Sequence, residues 1–251
     1  MPTAPPSHQL RLAVGKDGGP EIFRSFQGEG PVAGQVRAFI RLSGCNLHCR
    51  WCDTPYTWNW QGTDYEHVDG EKFAPAQEML RLPVEEAAAS VLALAAPGVV
   101  ITGGEPLMQP KALEAFCQQT KSGQPDYRLE VETNGTLKPS QTLEQLVDLF
   151  VVSPKLPHAG HEEDVAAPAL ANHRGNPRAV FKFVAKTPGD VETVRRLTGG
   201  IETNRIWIMP EGRSPAELDR HLTTITPAVL DAGFNLTDRQ HIRLFGDTRS
   251  T

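Results

Sequence analysis

The chain has 251 residues, 39% hydrophobic and 22% charged, which supplies a continuous core and excludes a disordered chain. No run of about 18 apolar residues occurs, and the opening Met1-Pro-Thr-Ala-Pro-Pro6 lacks the apolar stretch of a signal peptide, so the expectation is a cytoplasmic protein with no membrane partner. A formal net charge of −5 argues against a nucleic-acid surface and favours small-molecule chemistry.

In chain order, residues 1–18 are rich in Pro, Gly and polar side chains and read as a flexible tail, with 19–251 as one domain that begins near Glu21. Val36–Leu42 is an apolar run of strand length. The stretch 55–82 carries Tyr56, Trp58, Trp60 and Tyr65 without a period and reads as an insertion packed near the cysteine loop that precedes it. A helix fits 83–96, with Pro83 at its start, Glu85 and Glu86 in its first turn, and Val84, Ala87, Ala88, Val91, Leu92 and Ala95 along one face. Strands at 99–102, 128–132 and 150–153 then alternate with helices at 110–121 and 140–149. Further strands at 179–184 and 205–209 flank a helix near 189–198. Ser214-Pro-Ala-Glu217 marks another helix start, with an N-cap, a first-position proline and a capping-box glutamate, and 241–245 reads as a last strand. This alternation predicts parallel β/α units with right-handed crossovers, six to seven of them, fewer than a closed eight-stranded barrel needs.

Cys45, Cys49 and Cys52 stand within eight positions, directly after the strand at 36–42. Iron–sulfur clusters are held by thiolates, normally four for a four-iron cluster, so three leave one iron open to a small molecule. A zinc site using the three thiols with a histidine such as His48, and a redox pair Cys49-Arg-Trp-Cys52, are the other readings of the same residues. Cys117, in the helical pattern Leu113-Glu-Ala-Phe-Cys117, reads as core, and His158, His161 and His173 read as surface groups.

Parallel β/α folds assemble their chemistry at the C-terminal ends of the strands, and the motifs fall there. Cys45–Thr54 follows the strand at 36–42, and Gly103-Gly104-Glu105-Pro106 follows 99–102. Glu132-Thr133-Asn134-Gly135, Ser153-Pro154-Lys155 and Met209-Pro210-Glu211-Gly212 follow later strands.

The cysteine spacing, with Trp51 beside Cys52, resembles the cluster loop of radical S-adenosylmethionine (SAM) enzymes. Together with Phe26-Gln-Gly-Glu-Gly30, Arg41-Leu-Ser-Gly-Cys45, Asp53-Thr54 and the motifs above, the chain resembles the 7-carboxy-7-deazaguanine synthase family from about residue 20 to 212. That resemblance implies an α/β fold, a partial (open) β/α barrel of about six parallel strands, with the cluster loop after the first strand. It implies a 4Fe-4S cluster on Cys45, Cys49 and Cys52. SAM would be held by Trp51, Cys52, Asp53, Gly104, Glu105, Glu132, Asn134, Ser153, Pro154 and Lys155, with Gly104 and Glu105 on its amino group and Glu132 and Asn134 as the ribose pair. A pterin substrate would meet Phe26, Gln27, Gly28, Arg41 and Thr102, with Arg41 on its carboxylate, and Mg²⁺ would sit at Thr54. The implied reaction contracts 6-carboxy-5,6,7,8-tetrahydropterin to 7-carboxy-7-deazaguanine with loss of ammonia, through hydrogen abstraction by a 5′-deoxyadenosyl radical and regeneration of SAM. An electron donor such as flavodoxin or ferredoxin and a homodimer are implied as partners, and the segment 245–251 is expected to reach the substrate. A glycyl-radical-enzyme activase would use the same cluster loop, but such activases usually carry further cysteines and only Cys117 remains here.

Overall fold

The computed structural model describes residues 8–161 and 164–251. The chain opens with strands β1 (Gln9–Ala13), β2 (Ile22–Phe26) and β3 (Val36–Leu42). A one-turn helix α1 (Pro75–Glu78), strand β4 (Met79–Pro83) and helix α2 (Val84–Ala93) follow. The alternation then runs β5 (Gly98–Gly103), α3 (Pro110–Gly123), β6 (Arg128–Thr133), α4 (Gln141–Leu146), β7 (Leu149–Val152), α5 (Ala166–His173), β8 (Ala179–Ala185), α6 (Pro188–Leu197) and β9 (Ile206–Pro210). Helix α7 (Pro215–Ala232), the two-residue strand β10 (Asn235–Leu236) and helix α8 (Gln240–Phe245) complete it.

One sheet contains all these strands, in the order β10-β9-β8-β7-β6-β5-β3-β1-β4, with β2 also on β3. From β3 to β10 the neighbours are parallel, whereas β1 and β2 run antiparallel to β3. The parallel strands are almost wholly buried, as the apolar runs require when both faces are covered. Ile40, Leu42, Ile101, Leu129, Val131, Phe150, Phe181, Phe183 and Ile208 form the core beneath the helices. In α3, Leu113, Phe116, Cys117 and Thr120 are buried at helical spacing, which places Cys117 in that core. Helix α7 starts as its sequence dictates, with Ser214 Oγ accepting from Glu217 N and Pro215 at the first position, and ends at Gly233 with φ +66°.

Three expectations are corrected. Within the supposed tail 1–18, Gln9–Ala13 is a strand paired with β4 from Gln9↔Pro83 to Ala13↔Met79, and Leu10, Leu12 and Ala13 are fully buried; the part before His8 lies outside the described residues. The strand that carries the cysteine loop is therefore the third in the chain, though still the first of the parallel set. The segment 241–245 is helical: Ile242 N and Arg243 N both donate to Arg239 O, so the apolar alternation there serves a helix with only Ile242 buried. The irregular stretch 55–82 ends in β4 and does pack on the cysteine loop, where His67 Nε2 stands 2.8 Å from Cys52 O and His48 stacks on Tyr65. No helix among the described residues is long and apolar enough to cross a membrane.

Candidate active site

At the C-terminal rim of the parallel strands lies a cavity of about 210 Å³. Its wall includes Cys45, Cys49, Cys52 and Trp51 from the loop after β3, Gly104 after β5, Asn134 after β6, and Ser153 and Lys155 after β7. Phe26, Gln27, Gly28, Arg41, Thr102, Asp53, Thr54 and Glu132 line it too. Most residues singled out from the sequence therefore converge on one space. Glu105 and Pro154 do not reach it, being buried behind its wall.

The loop that carries the three thiols is fixed from several sides. Gly44 N donates to Thr57 O at 2.8 Å, Glu105 N donates to Gly44 O at 2.8 Å, and Arg50 N donates to Ala159 O at 3.0 Å. Trp51 Nε1 donates to His158 O at 3.2 Å, and Leu47, Trp51, Ala159 and Val165 surround the cysteines with apolar surface. Burial raises all three thiols, Cys49 to about 12 against the lowering effect of Lys155. Thiolates there need a positive centre among them, which the irons of a cluster provide. The donor set thus fits such a group: three thiols on one cavity wall in a dry setting, with space beside them. Among the described residues, no three His, Cys, Asp or Glu side chains are grouped to grip a single metal ion.

Gly104 matters for a different neighbour than expected. A Cβ there would stand 2.2 Å from Gly44 O and 3.0 Å from Cys45 Cβ, so its bareness lets the cluster loop seat against β5. Gly28 is similar, since a Cβ would meet His241 Nδ1 at 2.3 Å. Glu105, expected on the SAM amino group, spends its carboxylate on protein donors: Leu107 N at 2.9 Å, Thr133 Oγ1 at 2.8 Å and Asn134 N at 2.7 Å. It is fully buried and positions the loop after β6 from behind.

The expected ribose pair separates. Asn134 Nδ2 donates to Asn46 Oδ1 at 2.9 Å, beside the cluster loop. Glu132 instead accepts from Gln27 Nε2 and from Thr102 Oγ1, both at 3.0 Å, and so joins the residues assigned to the pterin. Ser153 and Lys155 stay together, Lys155 Nζ donating to Ser153 Oγ at 2.9 Å and lying 5.9 Å above the Trp51 ring.

Arg41 is partly committed. Its Nε lies 3.1 Å from Glu21 Oε1, an ion pair whose angle falls short of a hydrogen bond. Burial opposes its charge, but Tyr56, Glu21 and Asp53 outweigh that and strengthen it. Tyr56 OH donates to both Glu21 oxygens, at 3.0 and 3.2 Å, and Ser250 N donates to Glu21 Oε1 at 3.2 Å. This last contact brings the segment 245–251 into the site, where Thr251 joins the cavity wall.

Several groups gave no motif signal in the sequence. Lys182, Arg239 and the half-buried His241 form a network on the cavity wall around Glu29 of the Phe26–Gly30 motif. Glu29 Oε1 accepts from Arg239 Nε at 3.0 Å, and Lys182 pairs with Glu29 and, at 3.7 Å, with Glu132. Burial acts to raise the Glu29 carboxyl, yet Lys182, Arg239 and His241 together hold it far below the usual carboxylate range. His161, expected at the surface, places Nε2 3.3 Å from Cys49 Sγ, and His173 is fully buried with Nε2 3.2 Å from Leu137 O. Both lie far from their partners in sequence.

The radical SAM superfamily profile matches residues 39–210 of the chain. A 7-carboxy-7-deazaguanine synthase of Pyrobaculum aerophilum is 38% identical over 234 residues, covering 91% of this chain and 95% of that protein. One from Rhodopirellula baltica is 32% identical over 251 residues, covering 92% and 87%. Among solved structures, QueE from Escherichia coli superposes with a TM-score of 0.62 at 22% identity, covering 91% of this chain and 93% of that one.

Proposed function

The chain belongs to the radical SAM superfamily and to the 7-carboxy-7-deazaguanine synthases within it, and from that premise we infer the work of its cavity. It converts 6-carboxy-5,6,7,8-tetrahydropterin to 7-carboxy-7-deazaguanine with loss of ammonia, in the biosynthesis of 7-deazapurines such as queuosine. The observation that carries the assignment of roles is that three thiols, Cys49 buried and Cys45 and Cys52 half-buried, share one cavity with a polar set of Gln27, Arg41, Thr102 and Glu132.

Cys45, Cys49 and Cys52 would hold the cluster, with Trp51, Asp53, Gly104, Asn134, Ser153 and Lys155 around the SAM space. When bound, this pair supplies a 5′-deoxyadenosyl radical as hydrogen-atom acceptor. The chain's own residues orient the pterin and keep water out. Arg41 offers its guanidinium fork to the pterin carboxylate, and its pairing with Glu21 fixes the fork's direction. Gln27, Thr102 and Glu132 are already joined by hydrogen bonds and present a fixed donor and acceptor edge to the ring. Lys182 and Glu29 form the charged wall beside that edge. Thr54 lines the cavity next to Cys52 and would give Mg²⁺ one hydroxyl, the remaining ligands coming from substrate oxygens and water. A small one-electron carrier such as flavodoxin or ferredoxin as reductant, a homodimer and a cytoplasmic location complete this reading on the ground of family membership.

The test is mass spectrometry of an anaerobic reaction of reconstituted protein with reductant, SAM, Mg²⁺ and the tetrahydropterin. The expected result is a product with the mass of 7-carboxy-7-deazaguanine. Protein that holds a reducible cluster and cleaves SAM but forms no such product would overturn the substrate assignment.

A further inference from the structure

The loop with Gln27 and Gly28 leads from β2 into the start of β3 and the loop with the three thiols leaves its far end, so they sit at opposite ends of one strand, yet they must hold two reactants in register. One buried side chain touches both. Arg239, 7% exposed, donates from Nε to Glu29 Oε1 at 3.0 Å, pairs through Nη2 with Asp53 Oδ2, and donates from Nη1 to Gly212 O at 2.6 Å. Asp53 directly follows Cys52, and Glu29 directly follows Gly28. Each nitrogen of the guanidinium therefore serves a different loop, after β3, after β2 and after β9.

The neighbours show that this arrangement is built and not incidental. Gln240 N donates to Gly28 O at 2.9 Å, and Gly28 has no room for a Cβ because His241 fills that space. Gly30 N donates to Thr237 Oγ1 at 2.8 Å. Residues 237–241 thus lie flat along the loop after β2, and Arg239 alone among them reaches on to Asp53. Its forked planar shape suits this use, since it aims separate nitrogens at separate acceptors in fixed directions, whereas a lysine ammonium is a compact point charge on a flexible stem.

We propose that Arg239 is a positioning residue that sets the register between the SAM side and the pterin side of the cavity by holding Asp53 and Glu29 on one guanidinium. The inference rests on the function assigned above for its kinetic readout, and on the fold alone for its structural one. A residue that bridges two loops must loosen both when it is shortened, whereas a plain ligand of either reactant affects only that reactant.

The experiment compares the full chain with Arg239→Lys and Arg239→Met after anaerobic reconstitution. Iron content is measured first and is expected to match the parent, because Arg239 touches no cysteine. The apparent KM values for SAM and for the pterin are then both expected to rise, by about tenfold in the lysine variant and further in the methionine variant, in the range usual for residues that act through a ligand-bearing group. For comparison, Asp53→Asn should raise mainly the value for SAM and Glu29→Gln mainly that for the pterin. In parallel, amide hydrogen exchange without either reactant is expected to quicken in peptides covering 26–30 and 52–55 together. A rise in one KM alone would make Arg239 a direct ligand and overturn the proposal, as would quickened exchange confined to α8, or iron lost along with the arginine. If the parent itself forms no deazaguanine product, the assigned function falls, and the exchange measurement still decides the bridging role.

Discussion

Gly104 and Gly44 meet backbone to backbone: a methyl group on Gly104 would lie 2.2 Å from the Gly44 carbonyl oxygen and 2.6 Å from its carbon. Neither partner can yield as a side chain does, because both belong to main chain held by hydrogen bonds, Gly104 N to Leu42 O at 3.0 Å and Glu105 N to Gly44 O at 2.8 Å. Gly104→Ala should therefore push the cysteine loop off β5, lowering stability by about 1–3 kcal/mol and reducing the iron taken up on reconstitution. Urea unfolding and iron analysis read both effects. Full iron content with unchanged stability would show that the loop tolerates the methyl.

The three-thiol assignment separates two cysteines that composition alone treats alike. Cys49→Ala should leave the protein without a cluster, and Cys117→Ala, which removes one sulfur from the core, should keep full iron at a cost of about 1 kcal/mol. Equal iron loss in the two variants would refute the assignment.

Arg41→Ala should weaken pterin use at least about tenfold while the protein still cleaves SAM slowly in the absence of pterin. The variant also leaves Glu21 buried with Tyr56 and Ser250 but without its cation, so some stability should be lost as well. An unchanged KM for the pterin would remove Arg41 from the carboxylate contact.

Glu105→Gln tests positioning from behind the wall. The carboxylate accepts from three donors, and an amide in its place turns an NH₂ group toward one of them, which costs about 1–3 kcal/mol at a buried site. The loop at Thr133 and Asn134 should loosen, seen as faster amide exchange there and a lower unfolding midpoint. A variant with parental stability and exchange would mean that the three donors find other acceptors.

His173 gives the fold a pH dependence away from the cavity. Burial pushes its imidazole down to about 4, against the opposing effect of its bond to Leu137 O. The folded state thus favours the neutral ring, and this stabilisation is complete above about pH 6.5 and lost as pH falls from there toward 4. The loss amounts to about 3 kcal/mol over that window. His173→Gln keeps a donor for the carbonyl but cannot take up a proton, so its unfolding free energy should fall less over the same pH window. Parallel curves for the two proteins would assign the acid sensitivity elsewhere.

The cluster loop was legible because thiol spacing is local, and the parallel core because its strands are short apolar runs divided by glycines. Elements whose partners are remote were not. Gln9–Ala13 shows the alternation of Leu10 and Leu12, but prolines before it and glycines after it suggest a tail, and only pairing with Met79–Pro83 makes it a strand. His241–Phe245 shows a similar alternation and is a helix, because its amides find Arg239 O and no strand lies beside it. Within the site, Cys45, Cys49, Cys52 and Arg41 stood out by motif. Lys182 and Arg239 gave no such signal, since a lone cation in a strand or before a helix acquires meaning only from the carboxylates that the fold brings to it.

The seam between the two ends of the open sheet has a consequence for the order of assembly. The parallel strands from β5 to β9 each pair with the next strand in the chain, so they close short loops. The seam contacts close very long ones: Gly30 to Thr237 spans 207 positions, Glu29 to Arg239 spans 210 and Glu21 to Ser250 spans 229. Loop-closure entropy rises with length, so in a refolding reaction these contacts come after the local pairings. Time-resolved exchange labelling should find β6 to β9 protected before residues 26–30, and the reverse order would contradict this sequence of events. Until the seam closes, the part of the cavity wall that Arg239, His241 and Thr251 supply is missing, and that interval is when iron and sulfide have the freest approach to the three thiols.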